Sequence, residues 1–265
     1  MTLRILVSGK GGTGKTTIAA LLSIAFSERG YNVLALDTDS VPNLAQSLGV
    51  PPDIASKIVP LVKNDDLVEE RTGARPGAGW GMLFSLTPRV DDIAERYGVK
   101  VRDNITLIVV GSIDTSKEGC LCPAIALARM FLLHTLLRSK DVVIVDSEAG
   151  AEVFGRGLAE KFDVNLCIAE PTLKSLQIAR KLIDLAKQLG IKHNIVVVNK
   201  VIDVLEAYRL YAKVFGDSVP VHMVHYDEQV LKLENSGRGL ADIDRTSLIY
   251  KDIEKLVEKL ENLGG

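Results

Sequence analysis

The chain has 265 residues, of which 47% are hydrophobic and 25% are charged, a composition typical of a single globular domain. The formal net charge is −2, so the chain as a whole carries no charge that would draw it to nucleic acid or to an anionic membrane. No apolar run reaches the roughly 18 residues that a membrane-spanning helix needs, and the first residues do not resemble a signal peptide. Three cysteines are too few for a disulfide framework, which favours a reducing cytoplasmic compartment.

Apolar β-branched segments alternate with amphipathic segments along the chain. The segment RILVSG, residues 4–9, predicts a buried strand, and the pattern of Lys15–Glu28 predicts a helix. Further strands are predicted at 32–37, 106–111, 141–146, 164–169 and 194–199, and further helices at 123–137, 173–189 and 203–214. Continuous apolar strands between helices predict an α/β fold, with a mainly parallel twisted sheet covered by helices on both faces.

Two regions depart from this alternation, within a chain that we interpret as one domain over residues 1–265. Residues 51–101 form a long insertion, and its glycine-rich part TGARPGAGWGM predicts a flexible hairpin or flap around Trp80. Residues 246–263 predict a helix with one apolar stripe. Its polar face mixes lysine and glutamate, which favours docking onto the core over binding to a membrane surface.

A glycine-rich loop follows the first strand and opens the first helix. Residues 9–16, GKGGTGKT, match the phosphate-binding pattern G-x-x-x-x-G-K-[ST] in this strand–helix context, which predicts a P-loop NTPase. The glycines let backbone N–H groups point at phosphate oxygens, and the helix N-terminus adds partial positive charge. Lys15 is expected to reach the β- and γ-phosphates, and Thr16 to bind Mg²⁺. The nucleotide-binding residues predicted here are Gly9, Lys10, Gly11, Gly12, Thr13, Gly14, Lys15, Thr16 and Thr17.

Acidic residues end two of the predicted strands. Asp146 has the position of the carboxylate that holds Mg²⁺ through water, and Gly150 follows it with an N–H that could approach the γ-phosphate. Asp37 and Asp39 end the second strand, where one carboxylate could orient the attacking water and the other could support the metal. The alternative for each aspartate is a solvated loop residue or a helix N-cap.

The base is predicted to be adenine. Asn199 and Lys200 follow a strand and resemble the N-K-x-D motif of GTPases, in which the aspartate pairs with guanine. Here Ile202 occupies that position and Asp203 comes one residue later. Because this displacement re-aims the carboxylate, guanine would lose its partner.

Lys10 is a second lysine in the same loop. A cation at this point could neutralise charge on the nucleotide of a second subunit, as an arginine finger does. It could equally be an exposed lysine without a role, and spacing alone leaves both possibilities open.

The stretch KGGTGKTT resembles the deviant Walker A motif of the MinD/nitrogenase iron protein class of P-loop ATPases. The resemblance implies that Lys10 crosses a dimer interface to the partner's ATP, that Asp39 supports water attack and that Asp146 is the Walker B aspartate. It also implies a homodimer that ATP closes and hydrolysis relaxes. Adenine contacts are implied for Asn199 and for a later segment. That segment contains Tyr226 and Asp227 and reads VHMVHYDE, where relatives usually have a proline before the tyrosine-like position.

The segment EGCLCPA contains the cysteine pair Cys120 and Cys122. Pro123 suits the first turn of the following helix, whose N-terminus would favour thiolates. Two copies of the pair across a twofold axis would supply four sulfurs, which suit Zn²⁺, Ni²⁺ or an Fe–S cluster. The alternative is two small residues near a helix start. Cys167 lies in an apolar strand and is predicted to be a core residue.

The histidines are not predicted to be metal ligands. His134 lies on a helix in an apolar context and is expected to pack there. His222 and His225 are three residues apart in a predicted strand, so they are expected to face opposite sides and to make a poor metal pair.

A C-x-C pair at this place resembles the CooC family, the nickel-insertion accessory ATPases of carbon monoxide dehydrogenase. The insertion segments PLVKNDDLVEERTG and LTPRVDDIAERYG are similar to that family too. The resemblance implies that Cys120 and Cys122 bind Ni²⁺ or Zn²⁺ and that carbon monoxide dehydrogenase is the client. The chain departs from expectation in SEAGAE, which has Glu148 where a small or apolar residue is expected.

Three functions follow from these patterns. The leading hypothesis is a homodimeric Mg²⁺-dependent ATPase that binds nickel at a shared Cys-x-Cys site and delivers it to a client enzyme. The second is an Fe–S carrier or electron-transfer ATPase similar to the nitrogenase iron protein, which uses separated cysteines. The third, a partition or septum-site ATPase, predicts a basic surface that is not evident, so neither nucleic acid nor a membrane is an expected partner.

Overall fold

The structure, a computed structural model, describes residues 2–76, 83–113, 123–139 and 141–263. In these residues the strands are β1 (Leu3–Gly9), β2 (Val33–Asp37), β3 (Val99–Arg102), β4 (Ile105–Val109), β5 (Val142–Asp146), β6 (Val164–Ala169), β7 (His193–Val201) and β8 (Val221–His225). They form one sheet in the order β3-β4-β2-β5-β1-β6-β7-β8. Only β3 and β4 pair antiparallel among these neighbours, so the predicted α/β fold with a mainly parallel sheet is confirmed.

Helices cover both faces of this sheet. In the same residues they are α1 (Lys15–Glu28), α2 (Leu44–Ser47), α3 (Pro52–Ala55), α4 (Asp65–Thr72), α5 (Ile93–Tyr97), α6 (Pro123–Arg138), α7 (Arg156–Ala159), α8 (Leu173–Gln188), α9 (Val204–Phe215), α10 (Glu228–Asn235) and α11 (Leu248–Glu261). Helices α1 and α11 pack together on one face. Helices α4 and α6 bury the other face, and α8 and α9 pack on the same side beyond them. Alternate strand residues point to opposite faces, which explains why these strands are apolar throughout.

The predicted elements agree closely with the observed bounds. Helix α1 and strand β6 have the predicted limits, and α6 begins at Pro123 as expected. Strand β7 is longer than predicted, and β3 was not predicted because it is a short, half-exposed edge strand at the end of the insertion. The described part of the insertion contains short helices, whereas Trp80 and residues 77–82 lie outside the described residues.

Asp203, the displaced aspartate of the NKVID segment, caps helix α9. Its carboxylate accepts hydrogen bonds from the backbone N–H groups of Leu205 at 2.9 Å and Glu206 at 3.0 Å. A helix N-terminus has unpaired donors, and an aspartate at this position satisfies two of them. The displaced carboxylate therefore serves as a helix cap in this chain.

His222 and His225 both contact Asp252 on α11, so the expectation that they face opposite sides is wrong. Nε2 of His222 lies 2.7 Å from the Asp252 carbonyl oxygen, and Nδ1 of His225 lies 2.6 Å from the Asp252 carboxylate. The period-two rule fails because β8 ends at His225 and the β7–β8 register shifts just before it. Cys167, in contrast, is fully buried in the core, as predicted. No helix in the described residues is long and apolar enough to cross a membrane.

The pH dependence of stability is expected to depend on His222. Burial, followed by the nearby Lys259 charge, lowers the pKa of His222 from 6.5 to about 4. The folded protein therefore keeps the imidazole neutral at pH values where the unfolded chain already binds a proton. This contribution is fully present above about pH 6.5 and is lost as the pH falls toward 4. Relative to a variant without this imidazole, we expect the free energy of unfolding of the wild type to fall by about 2 kcal/mol between pH 7 and pH 5, measured by urea denaturation.

The variant is His222→Gln, in which this contribution is absent because glutamine does not titrate, while the contributions of Asp37 and Asp146 are the same as in the wild type. The matched control is His193→Gln, which changes an exposed histidine at the start of β7 and should leave the pH dependence as it is in the wild type. A difference in unfolding free energy between the wild type and His222→Gln that stays constant from pH 7 to pH 5 would contradict the prediction.

Candidate functional site

The phosphate loop lies at the carboxyl edge of the sheet, between β1 and α1. Glycine is required at both ends of the loop. Gly9 has a φ of +141°, and a Cβ there would lie 2.4 Å from the Ile168 carbonyl oxygen. Gly14 has a φ of +93°, and a Cβ would lie 2.3 Å from the Asn199 amide nitrogen. A side chain at either position would collide with a neighbouring strand end, which explains the spacing of the motif.

The two lysines of the loop have different environments. The carbonyl oxygen of Lys10 accepts hydrogen bonds from the Thr13 hydroxyl at 2.8 Å and from the Lys15 ammonium group at 3.4 Å. Lys15 is buried, with 8% of its surface exposed, whereas Lys10 is exposed. Within the described parts of the chain, the Lys10 ammonium group has no ion-pair partner. Lys15 thus lies inside the loop, and Lys10 projects from it.

The end of β7 holds the crown of the loop in place. The Asn199 amide donates to the Thr13 carbonyl oxygen at 2.9 Å, and the Lys200 ammonium group donates to the Gly12 carbonyl oxygen at 2.8 Å. Lys200 also pairs with Glu170 at 2.7 Å. Its φ of 61° makes it the single non-glycine residue with a positive φ in the described residues. This conformation costs roughly 1–2 kcal/mol, and these two contacts offset it.

Asp37 and Asp146 are neighbours in the β2–β5 register. Both are buried, with 0% and 2% of their surfaces exposed. The Asp37 carboxylate accepts backbone hydrogen bonds at 3.0 Å from Asp39, Asn43 and Leu44. Asp37 therefore shapes the loop that carries Asp39, and its oxygens are occupied by that loop.

The electrostatics of this acidic pair favour a cation. Burial raises the pKa of Asp37 to about 6, against hydrogen bonds that lower it. Burial and then the Asp37 charge raise the pKa of Asp146 to about 7, which the Thr16 hydrogen bond and the Lys15 charge partly oppose. Oδ1 of Asp146 is buried without a hydrogen-bond partner in the described residues. Thr16 and Asp146 therefore fit a Mg²⁺ site, because oxygen donors and uncompensated negative charge are what this ion requires.

A cavity of about 660 Å³ opens in front of the loop. One part of its wall is polar and comes from the phosphate loop, from Asp39 and from Lys200. Another part is aromatic and apolar and consists of Tyr226, Val230, Leu231 and Ile249. A wall of this kind suits a ligand with a phosphate end and a flat apolar ring.

The structure brings most of the predicted nucleotide-binding residues to this cavity. The wall includes Gly11, Gly12, Gly14, Lys15, Thr16, Thr17, Asp39, Asn199, Lys200, Tyr226 and Asp227. The other predicted residues, Gly9, Lys10, Thr13, Asp37, Asp146 and Gly150, do not form part of the wall. Asp227 also caps α10, accepting from the Gln229 N–H at 2.8 Å. Cys120 and Cys122 lie outside the described residues.

Several wall residues were not predicted from the sequence. They are Ser40, Val41, Asn43, Glu148, His225, Val230, Leu231, Glu234 and Ile249. His225 could have been predicted from the position of VHYDE at the end of a parallel strand, because loops at this edge of an α/β sheet form ligand sites. Ile249 had no such signal, since it belongs to a helix far along the chain. Glu148, which stands where the sequence comparison led us to expect a small or apolar residue, also lies in the cavity wall.

The strand–glycine loop–helix unit, the buried lysine and the acidic strand ends define a P-loop nucleotide site. Comparison with known families agrees: residues 5–240 match the CobQ/CobB/MinD/ParA nucleotide binding domain family. The chain belongs to this family and is an ATPase of the MinD/ParA class.

Three similar proteins illustrate the relationship. An uncharacterized ATP-binding protein of Methanocaldococcus jannaschii is 42% identical over 266 residues, which cover 98% of this chain and 99% of the relative. The carbon monoxide dehydrogenase accessory protein CooC of Rhodospirillum rubrum is 42% identical over 198 residues, covering 75% of this chain and 74% of that protein. The solved structure of the cell division ATPase MinD of Pyrococcus furiosus superposes with a TM-score of 0.66 at 25% identity, covering 98% of this chain and 99% of MinD.

Substituting Asp146→Asn is expected to stabilise the nucleotide-free protein while it impairs hydrolysis. The amide removes a buried charge that lies beside Asp37 and has one unpaired oxygen. Leaving such a group buried costs on the order of 1–3 kcal/mol, so the free energy of unfolding above neutral pH should rise by a similar amount. Chemical denaturation without nucleotide measures this gain, and phosphate release measures the loss of ATPase activity.

The matched control is Asp39→Asn, the same substitution in the same site at a half-buried position. Its activity should also fall, but its stability should stay within about 0.5 kcal/mol of the wild type. A loss of stability in Asp146→Asn would show that the carboxylate contributes to folding and would contradict the repulsion argument.

Proposed function

We propose that this ATPase works as a homodimer, binds nickel at a shared Cys120/Cys122 site and assists metal insertion into carbon monoxide dehydrogenase. The observation that carries the proposal is a Cys-x-Cys pair directly before α6 in a chain 42% identical to a carbon monoxide dehydrogenase accessory protein. In a reducing cytoplasm both thiols would remain available for the metal. Two cysteines per subunit leave a four-coordinate ion half-ligated, which supports a site shared by two subunits.

The nucleotide side of the proposal assigns a role to each group in the cavity. Lys15 would hold the phosphates, and Thr16 and Asp146 would hold Mg²⁺, directly and through water respectively. When bound, Mg²⁺ would neutralise charge on the phosphates. Asp39, held in place by the Asp37 loop, would orient the attacking water.

The base and the γ-phosphate would have their own contacts. Asn199, Tyr226 and Asp227 would lie near the adenine, and their position in the cavity wall supports this assignment. The Gly150 N–H would reach the γ-phosphate after the following segment moves, since Gly150 is not part of the wall as it stands.

Asp37 links the nucleotide site to the residues that precede the cysteine segment in the sequence. The carbonyl oxygen of Asp37 accepts hydrogen bonds from the N–H groups of Val110 at 2.8 Å and Gly111 at 3.2 Å. In the sequence Cys120 follows Gly111 by nine residues, and the Asp37 carboxylate holds the Asp39 loop. A nucleotide that shifts this strand end would thus move both loops. Coupling also requires that the metal bind the ATP-bound and ATP-free dimers with different affinities.

Lys10 is proposed to act across the dimer. It is exposed, it projects from the loop, and it has no ion-pair partner in the described residues. A cation supplied in trans to a phosphoryl-transfer site accelerates the reaction greatly, so Lys10→Ala should lower the rate of hydrolysis by about a hundredfold or more. ATP binding to the isolated subunit should change little, and a fluorescent ATP analogue measures it.

Mixing two inactive variants tests whether Lys10 acts in trans. A dimer of Lys10→Ala with Asp39→Asn contains one site that has an intact Asp39 and receives an intact Lys10 from the partner. The mixture should therefore recover activity that neither variant has alone. If Lys10 acts on its own subunit's nucleotide, both sites stay defective and no activity returns.

Metal stoichiometry tests the cysteine site. After Ni²⁺ loading and desalting, the wild type should retain about half an ion per subunit, and Cys122→Ser should lose it. The matched control is Cys167→Ser, which changes a cysteine buried in the core and should retain the metal. Elemental analysis measures the ratio, and repeating the titration with a non-hydrolysable ATP analogue should change the Ni²⁺ affinity.

Three outcomes would contradict the nickel proposal. Unchanged binding in Cys122→Ser, or no binding in the wild type, would leave an ATPase with a different cargo. Iron and inorganic sulfide in anaerobically purified protein, with visible thiolate-to-iron absorption, would replace it with an Fe–S carrier.

A further inference from the structure

His225, the last residue of β8, lies in the wall of the nucleotide cavity. Its side chain is 27% exposed, so it is reachable from the cavity but is not a free surface group. The neighbouring wall residues are Tyr226, Val230, Leu231 and Ile249, which form the aromatic and apolar part of the wall. This part of the wall is where a purine ring would bury its faces, because the phosphates are directed to the glycine loop.

Asp252 determines how the imidazole of His225 is presented. Its Oδ2 lies 2.6 Å from Nδ1 of His225 and accepts the backbone N–H of the same residue at 3.0 Å. Asp252 is itself buried, with 6% of its surface exposed. An ionised carboxylate only accepts hydrogen bonds, so Nδ1 carries the proton. In the neutral ring Nε2 is then an acceptor, and in the described residues it has no partner of its own.

The Asp252 backbone is also held in place. Its carbonyl oxygen lies 2.7 Å from Nε2 of His222, whose Nδ1 lies 3.2 Å from the Lys259 ammonium group. The carboxylate therefore belongs to a fixed part of α11, packed against β8. The same carboxylate oxygen holds the His225 backbone through its N–H and the His225 ring through Nδ1, which limits rotation of the ring.

We propose that His225 reads the nucleotide base, with Nε2 accepting a hydrogen bond from the exocyclic amine of adenine and Asp252 acting as the positioning residue. The inference rests on the ATPase assignment and is independent of the metal proposal. Guanine has a carbonyl oxygen at the corresponding ring position, which would place two acceptors opposite each other. His225 thus becomes a specificity-determining residue that favours adenine.

A comparison of ATP with purine riboside triphosphate isolates this contact, because the second compound lacks only the exocyclic amine. A neutral hydrogen bond to a half-buried acceptor changes affinity by about threefold to tenfold. The wild type should therefore bind ATP more tightly than the analogue by about this factor. His225→Leu, which keeps the bulk and removes the acceptor, should reduce the preference by about fivefold. Isothermal titration at one fixed pH measures both dissociation constants.

Two further variants separate recognition from packing. His225→Gln offers an amide oxygen near the same place and should restore part of the preference. Asp252→Ala leaves His225 in the chain but removes its support, so the preference for the amine should fall. The matched control is His193→Leu, an exposed histidine on the neighbouring strand, which should bind both nucleotides as the wild type does.

Three results would overturn the proposal. One is an unchanged preference in His225→Leu. Another is an equal loss of affinity for both nucleotides, which would show that His225 only packs against the ligand. A wild type that binds ATP and the analogue equally well would also exclude recognition of the amine. A wild type that binds neither compound would contradict the ATPase assignment itself and would be distinguishable from these three results.

Discussion

The parallel register of β1, β2 and β5 is the constraint on which the rest of the site depends. It aligns Asp37 with Asp146 and Asp146 with Val7, so the strand that feeds the phosphate loop ends beside two buried carboxylates. Burial raises the pKa of both acids, and the Asp37 charge raises that of Asp146 further, which is unfavourable for folding without a cation. The same arrangement supplies oxygen ligands where a phosphate-bound metal needs them. The burial of these two carboxylates thus both destabilises the cation-free protein and supplies oxygen atoms for a metal ion.

Strand β2 connects the two halves of the proposed mechanism. The side chain of Asp37 holds the loop with Asp39, and its carbonyl oxygen holds Val110 and Gly111 on the way to the cysteines. One residue therefore contacts both the loop that carries Asp39 and the residues that precede the cysteine segment in the sequence.

The sequence predicted the parts of the fold that have strong local signals. Buried parallel strands are continuous apolar runs in the sequence. Helix α1 begins at Lys15, the lysine of a motif in which glycine is needed for local steric reasons. The prediction failed where a contact with another strand or helix determined the local structure. Strand β3 exists because β4 offers it an edge, and His225 turns toward Asp252 because β8 ends there. For Asp203 the sequence predicted only that it would not pair with guanine, and the structure adds that it caps a helix.

The sequence by itself determined the class of chemistry: a phosphate loop, acidic strand ends, a second lysine and a cysteine pair are all readable from short stretches. Only the tertiary structure decided which groups surround the base and how they are oriented. Asn199 holds a carbonyl oxygen 186 residues away, and Asp252 orients a histidine 27 residues before it. The physical reason is that steric and capping rules act between near neighbours, whereas a cavity wall is assembled by strand pairing and helix docking over long sequence separations.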